Sequence, residues 1–303
     1  MDVKDIRRIL ILGGGTMGQQ IGFQCAIHGC EVVVYDIQED MLETAMTRIK
    51  RLAGKFVKRA LLTADAADAA VARIEVTTDP VNAAENVDLV SESVPEDPEL
   101  KGRVFARFHE LCPAHTIFTT NTSTLLPSMF AASTGRPERF LAFHFHDVAI
   151  TNVVDVMPHP GTDESVVDLV MAFARKIGQM PILVKKENSG YVFNAMLAEF
   201  MKAAQTLAAK GVATVEDIDR AWMGVTHMFS GPFGIMDSIG LDTVWKVTDF
   251  WATKTGDPQS RANADFMKQY VDSGHLGTKT RRGFYSYPDP EFLRPDFLSG
   301  KNK

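Results

Sequence analysis

The fold is decided near the amino terminus, where the sequence reads Ile9-Leu10-Ile11-Leu12 and then Gly13-Gly14-Gly15-Thr16-Met17-Gly18. The apolar run is typical of a buried strand, and the glycines mark a tight turn. The stretch from Ile21 to His28 then predicts a helix that stops at a glycine, and Val32–Tyr35 predicts a second strand. Two short parallel strands joined by a helix require a right-handed crossover, so we predict a sheet covered by helices on both faces.

The glycine turn also predicts a ligand. Gly13, Gly15 and Gly18 satisfy G-x-G-x-x-G between a strand and a helix, where backbone N–H groups and the helix dipole bind a pyrophosphate. Thr16 and Met17 belong to the same turn. Asp36 ends the second strand, where its carboxylate can accept hydrogen bonds from ribose hydroxyls, and no arginine follows it to receive a 2′-phosphate. The sequence therefore predicts NAD rather than NADP as the cofactor.

The remaining chain divides into an alternating part and a helical part. Strand-like runs recur, mostly with helical stretches between them, at Ile74–Thr77, Leu89–Glu92, Ile117–Thr120, Phe140–His144, Val153–Met157 and Ile182–Val184. From Tyr191 onward the pattern is helical. For a chain of 303 residues we therefore predict a Rossmann-type doubly wound α/β domain over 1–186 and an all-α C-terminal domain over 187–303.

Composition limits the partners and the cellular location that we expect for the protein. With 32 Lys and Arg against 38 Asp and Glu, the net charge is −6, which argues against a nucleic-acid partner. The three cysteines show no paired spacing, the amino terminus is too polar for a signal peptide, and no apolar run is long enough for a membrane span. We therefore expect a cytoplasmic protein without a membrane partner.

Further motifs follow in a fixed order along the chain: Val94-Pro95-Glu96-Asp97 with Lys101, Thr120-Asn121-Thr122-Ser123-Thr124-Leu125, His144-Phe145, Val153-Val154-Asp155-Val156, Ser189-Gly190-Tyr191-Val192-Phe193-Asn194, Gly231-Pro232-Phe233-Gly234 with Asp237, and Lys279 before Gly283-Phe284-Tyr285. With these motifs the sequence resembles the L-3-hydroxyacyl-CoA dehydrogenase family, which includes bacterial 3-hydroxybutyryl-CoA dehydrogenases. The resemblance runs nearly end to end.

The resemblance implies roles for individual residues. His144, at a strand end, is the expected general base, since histidine titrates near neutral pH. Asp155 takes the place of the family's glutamate as its carboxylate partner, one residue nearer in sequence. Ser123 and Asn194 are expected to hydrogen-bond the substrate. The cofactor contacts that the resemblance implies are Glu96, Lys101, Ser123 and Lys279.

Each of these residues also has a structural interpretation. His144 could be a satisfied core histidine, Ser123 a helix cap, Asn194 a buried helix polar group and Asp155 a residue on the wet face of its strand. The sequence also departs from the family, with His146-Asp147 where Phe-Asn is usual and Ser189 where Pro is usual. His144 and His146, with an aspartate, could suggest a metal site. Hydride transfer with a histidine base needs no metal, so we predict none.

A helix predicted around residues 42–56 carries a basic stripe of Arg48, Arg51, Lys55, Lys58 and Arg59. One interpretation is a solvated face whose aliphatic stems cover apolar surface. The other, implied by the resemblance, is a docking site for coenzyme A phosphates, with Lys55 and Lys58 as the candidates.

We predict an NAD-dependent oxidoreductase of fatty-acid metabolism that oxidises short-chain (3S)-3-hydroxyacyl-CoA to 3-oxoacyl-CoA. A dehydrogenase of a free 3-hydroxy acid, of gulonate or carnitine type, and a non-catalytic NAD-binding relative are the alternatives. The apolar-rich helical domain and the resemblance predict a homodimer formed through the C-terminal domain.

Overall fold

The computed structural model of the protein describes residues 2–299. The chain forms two compact units, Met1–Val192 and Phe193–Lys303. This division lies a few residues after the boundary predicted at 186/187. The reason is that the intervening segment is bound to the first unit: Tyr191 is 2% exposed, and its hydroxyl donates to the Thr122 carbonyl at 2.6 Å.

The first unit contains one eight-stranded sheet with the order β3-β2-β1-β4-β5-β6-β7-β8. Its strands are β1 Arg8–Leu12, β2 Glu31–Tyr35, β3 Ile74–Thr77, β4 Leu89–Glu92, β5 Ile117–Thr120, β6 Phe140–Phe145, β7 Val153–Pro158 and β8 Met180–Leu183. Neighbouring strands are parallel except β6 and β7, which pair antiparallel. The predicted doubly wound α/β architecture is confirmed, and the reversal at β7 is an addition to it.

Within residues 2–299, the helices of the first unit are α1 Thr16–Ile27, α2 Glu39–Lys58, α3 Ala64–Val71, α4 Pro80–Ala84, α5 Pro98–Leu111 and α6 Glu164–Lys176. The continuous apolar run of β1 is explained by burial on both faces of the sheet. Ile9 and Ile11 belong to one core cluster, whereas Leu10 and Leu12 belong to the other. Alternate side chains of the central strand thus enter two cores.

The second unit is helical, as predicted. It contains α7 Phe193–Ala209, α8 Val215–Thr226, α9 Pro232–Ile239, α10 Leu241–Thr255 and α11 Pro258–Asp272. Its core includes Phe233, Met236, Leu241, Met267 and Tyr285. Within residues 2–299, no helix of either unit is both long and apolar enough to cross a bilayer.

Two buried carboxylates join distant segments of the second unit through hydrogen bonds. Asp219 accepts hydrogen bonds from the N–H groups at 233 and 234 and from the Tyr285 hydroxyl. Asp237 accepts from the N–H groups at 284 and 285. Burial raises the pKa of Asp219 to about 6, even though these hydrogen bonds favour the ionised form.

Candidate active site

The glycine turn between β1 and α1 has the shape that a dinucleotide requires. Gly13 has φ of +105°, and a Cβ at Gly18 would lie 2.0 Å from the Gly13 carbonyl oxygen, so larger residues are excluded at both positions. A Cβ at Gly15 would meet nothing within 4 Å, which leaves the backbone open to an approaching pyrophosphate. Thr16 and Met17 then open α1. The N–H groups at this end of the helix would bind the anionic pyrophosphate.

Asp36 follows β2 and is tied to the same turn. Its Oδ2 accepts a hydrogen bond from the Gly14 N–H at 2.8 Å, and its Oδ1 accepts from the Gln38 N–H at 3.2 Å. The carboxylate is therefore held beside the turn, as the ribose-binding role requires. The residues present fit NAD: the turn would hold the pyrophosphate and Asp36 the adenosine ribose.

A hydrogen-bonded chain of three side chains lies at the β6–β7 pair. His144 Nδ1 is 3.1 Å from Asp155 Oδ2, and His144 Nε2 is 3.2 Å from Ser123 Oγ. The antiparallel register sets His144 directly opposite Asp155. Because directly opposed side chains have Cβ atoms only about 5 Å apart, an aspartate is long enough to reach the ring. The structure thus brings together three of the four predicted catalytic residues.

The Asp155 carboxylate receives two imidazoles. His146 Nε2 lies 3.2 Å from the same Oδ2 that His144 contacts. Burial alone would raise the pKa of Asp155, but the hydrogen bonds from both histidines, together with their charge when they are protonated, outweigh burial and lower it. An ionised carboxylate only accepts, so the His144 Nδ1 atom carries a proton. The neutral form of His144 with this tautomer presents the Nε2 lone pair to Ser123, as a base requires.

The segment 122–124, which presents Ser123, is held by Glu96. The Glu96 Oε1 atom accepts from the N–H groups of Ser123 at 3.2 Å and Thr124 at 3.3 Å, and from the hydroxyls of Thr122 and Thr124. Partial burial would raise the pKa of Glu96, but the hydrogen bonds from Thr122 and Thr124 and the positive charge of Lys101 outweigh it and lower the pKa. The family-implied residue Glu96 thus fixes the loop that carries Ser123.

Tyr191 holds the same site from another side, a role that the sequence did not reveal. Its ring is parallel to that of His144, with centroids 4.7 Å apart and an interplanar angle of 3°. Its hydroxyl donates to the Thr122 carbonyl at 2.6 Å. One side chain therefore contacts both the imidazole and the Ser123 segment. The only signal was its place in the motif Ser189-Gly190-Tyr191.

Lys101, a predicted cofactor contact, is buried among three protein oxygens. Its side chain is 1% exposed, and Nζ lies 2.6 Å from Glu92 Oε1, 3.2 Å from the Val94 carbonyl and 3.4 Å from Glu96 Oε2. An ammonium group has three donors, and each has a protein oxygen here. Lys101 therefore neutralises the fully buried Glu92 and steadies Glu96, and it reaches the site through them.

The other predicted residues belong to α2 and to the second unit. Lys55 and Lys58 are exposed on the last turn of α2, and neither has an ion-pair partner within the described part of the chain. Asn194 is half-buried in α7 of the second unit. Lys279, also in the second unit, pairs with Asp242 Oδ1 at 2.7 Å.

Comparison with known proteins identifies relatives of both units. A family model described as the NAD-binding domain of 3-hydroxyacyl-CoA dehydrogenase matches residues 8–188, and one described as its C-terminal domain matches residues 190–287. A probable 3-hydroxybutyryl-CoA dehydrogenase of Bacillus subtilis is 31% identical, over 94% of this chain and 99% of the relative.

Solved structures agree with these matches. The (S)-3-hydroxybutyryl-CoA dehydrogenase of Ralstonia eutropha superposes with a TM-score of 0.84 at 30% identity, covering 94% of this chain and all of that one. A diketoreductase, described as acting on dicarbonyl compounds, gives a TM-score of 0.86 at 40% identity, covering 93% of this chain and 99% of that one. Both cover nearly the whole length of this protein.

Proposed function

The chain belongs to the 3-hydroxyacyl-CoA dehydrogenase family and is an NAD-dependent oxidoreductase, and from this premise we propose that it oxidises short-chain (3S)-3-hydroxyacyl-CoA, such as 3-hydroxybutyryl-CoA, to the 3-oxoacyl-CoA. The observation that supports this reaction is the hydrogen-bonded chain Ser123–His144–Asp155. Such a reaction would serve fatty-acid metabolism.

His144 is the proposed general base. Its Nε2 lone pair accepts the proton of the substrate 3-hydroxyl. NAD held by the glycine turn and Asp36 would supply the acceptor for the hydride on the carbon that bears this hydroxyl. The imidazolium that forms is stabilised by the ionised Asp155, which already accepts from Nδ1. A positioned base of this kind contributes about 10²–10⁴-fold to the rate.

Ser123 and Asn194 are the proposed hydrogen-bond partners of the substrate oxygens. Ser123 Oγ lies 3.2 Å from His144 Nε2, so a hydroxyl bound to Ser123 would also be within reach of the base. We further propose that Lys55 and Lys58 bind coenzyme A phosphates, since both are exposed cations on one helical turn of an acidic protein. Lys279 remains a proposed cofactor contact.

The test is NADH oxidation with acetoacetyl-CoA set against free acetoacetate. We expect kcat/KM to be far higher for the thioester, because the phosphates of coenzyme A add binding energy that a free acid lacks. Equal activity with both compounds would contradict a coenzyme A substrate.

A second candidate is a reductase of dicarbonyl compounds or a dehydrogenase of free 3-hydroxy acids. Its support is the 40% identity to the diketoreductase, together with the second imidazole that His146 adds to Asp155. This candidate predicts turnover of a dicarbonyl compound that lacks coenzyme A, at a rate that does not depend on the charge at Lys55 and Lys58. In the same comparison, the coenzyme A enzyme would strongly prefer the thioester.

We also propose a cytoplasmic homodimer formed through the second unit. Several of its large apolar side chains are exposed, among them Val225 and Phe229 at 82% each. Exposed apolar clusters of this kind are typical of subunit contacts. Sedimentation equilibrium should give twice the 33.4 kDa mass of one chain, and a monomer mass would contradict the proposal.

A further inference from the structure

Three potential metal ligands converge at the site. Nitrogen atoms of His144 and His146 and a carboxylate oxygen of Asp155 all lie within 4.8 Å of one another. His144 lies in β6, His146 follows the last residue of that strand, and Asp155 lies opposite His144 on β7. All three side chains are largely buried, with exposed fractions of 5%, 15% and 2%.

We propose that His144, His146 and Asp155 form a binding site for a divalent transition-metal ion of the Zn²⁺ class, and that the bound ion switches the dehydrogenase off. The inhibitory part rests on the proposed function of His144, whereas ion binding itself does not. The proposed reaction itself uses no metal, but the site departs from our prediction that the protein binds none.

The spacing of the donor atoms suits such an ion. Zn²⁺ holds nitrogen and oxygen ligands at about 2.0–2.2 Å, which sets tetrahedral neighbours roughly 3.3 Å apart. The two nitrogen-to-oxygen distances, 3.1 and 3.2 Å, already match this separation. Only the two imidazoles need to approach each other. Two histidines and one carboxylate also form a known three-ligand zinc set, which leaves one position for water.

The chemistry of the donors sets the selectivity. Two imidazole nitrogens favour Zn²⁺, Co²⁺ and related ions, whereas Mg²⁺ and Ca²⁺ prefer sites built from oxygen. The ionised Asp155 supplies the negative charge that a buried cation requires. The site should therefore distinguish transition ions from Mg²⁺.

Inhibition follows from the position of one proton. A neutral imidazole that binds metal through Nδ1 gives the ion that lone pair and carries its single proton on Nε2. His144 Nδ1 is the atom that faces Asp155, and Nε2 is the atom that faces Ser123. When the ion binds, the proton therefore moves from Nδ1 to Nε2. His144 then has no lone pair for the substrate proton, so kcat should fall.

The experiment titrates chelator-treated, dialysed full-length protein with Zn²⁺ by calorimetry and with Co²⁺ by visible absorption. His146→Phe removes one ligand and retains the His144–Asp155 pair. The matched control is His115→Phe, because His115 pairs with Asp88 at 3.2 Å as a single surface imidazole in the same unit. NADH turnover with and without Zn²⁺ or Mg²⁺ is measured on all three proteins.

We expect one tight Zn²⁺ site and a tetrahedral Co²⁺ spectrum in the wild type and in His115→Phe. In His146→Phe, Zn²⁺ affinity should fall by at least about tenfold, and turnover should lose its sensitivity to Zn²⁺. Mg²⁺ should inhibit none of them, and chelation should restore activity.

Equal Zn²⁺ affinity in the wild type and His146→Phe would overturn the site without affecting the proposed reaction. Zn²⁺ bound through His146 with turnover unchanged would overturn the switch and count against His144 as the base. The calorimetric result and the kinetic result therefore separate the two proposals.

Discussion

Replacement of Lys101 by Met tests whether the buried ion pair supports the site. Lys101 is 1% exposed and Glu92 is 0% exposed, so the substitution leaves a carboxylate in the core without its cation. Loss of one partner of a buried pair costs about 3–5 kcal/mol. For a unit of this size each kcal/mol lowers Tm by about 2–4 °C, which gives a fall of about 6–20 °C.

The loss should depend on pH in a defined direction. Burial already raises the pKa of Glu92 against the effect of Lys101. Without the lysine the native state would bind a proton on Glu92 more tightly than the unfolded chain does. The free energy of unfolding of Lys101→Met should therefore fall as pH rises above the unfolded pKa, so the variant should be weaker at pH 8 than at pH 5.

Scanning calorimetry at both pH values measures these effects, with Glu92→Gln/Lys101→Met as the matched control. The double variant contains no buried charge at this pair and should recover much of the lost stability. A single variant within about 1 kcal/mol of wild type, or a double variant no more stable than the single one, would refute the reasoning.

Three further substitutions test other parts of the account. Tyr191→Phe keeps the ring stacked on the imidazole but leaves the buried Thr122 carbonyl without its donor. The free energy of unfolding should therefore fall by about 1–3 kcal/mol. An unchanged denaturation midpoint would show that the hydrogen bond from Tyr191 does not stabilise the protein. Because burial raises the pKa of Asp219 to about 6, its contribution to the free energy of unfolding falls between about pH 4 and pH 6, and Asp219→Asn should remove up to about 3 kcal/mol of this pH dependence. Tryptophan fluorescence measures the unfolding, since all three tryptophans lie in the second unit. An equal pH dependence in the variant and the wild type would contradict the raised pKa. Lys55→Glu/Lys58→Glu should raise KM for acetoacetyl-CoA by up to about thirtyfold, at about 1 kcal/mol per exposed contact. KM for the acetoacetyl-pantetheine thioester should not change. If the variant and the wild type have equal KM values for acetoacetyl-CoA, the two lysines do not bind coenzyme A phosphates.

The glycine turn and its aspartate could be predicted from sequence because they are local. Gly13, Gly18 and Asp36 are fixed by a strand, a turn and a helix that follow one another along the chain. The two-faced burial of β1 likewise follows from an uninterrupted apolar run. The eight strands were therefore found to within a few residues.

Features that depend on the register of paired strands could not be predicted from the sequence. The apolar run of β7 does not record its direction, yet the antiparallel pairing with β6 is what sets Asp155 opposite His144. The resemblance supplied that pair without a reason for it. The contacts of Tyr191 and of the buried Lys101 join residues distant in sequence, so residue type alone could not reveal them.

The most direct measurement is the rate of NADH oxidation with saturating acetoacetyl-CoA in His144→Gln, with NADH binding followed by fluorescence as the control for an intact cofactor site. Since the imidazole is proposed to carry the reacting proton, kcat should fall by about 10²–10⁴-fold while NADH still binds. A variant that binds NADH and turns over at nearly the wild-type rate would show that His144 is not the base.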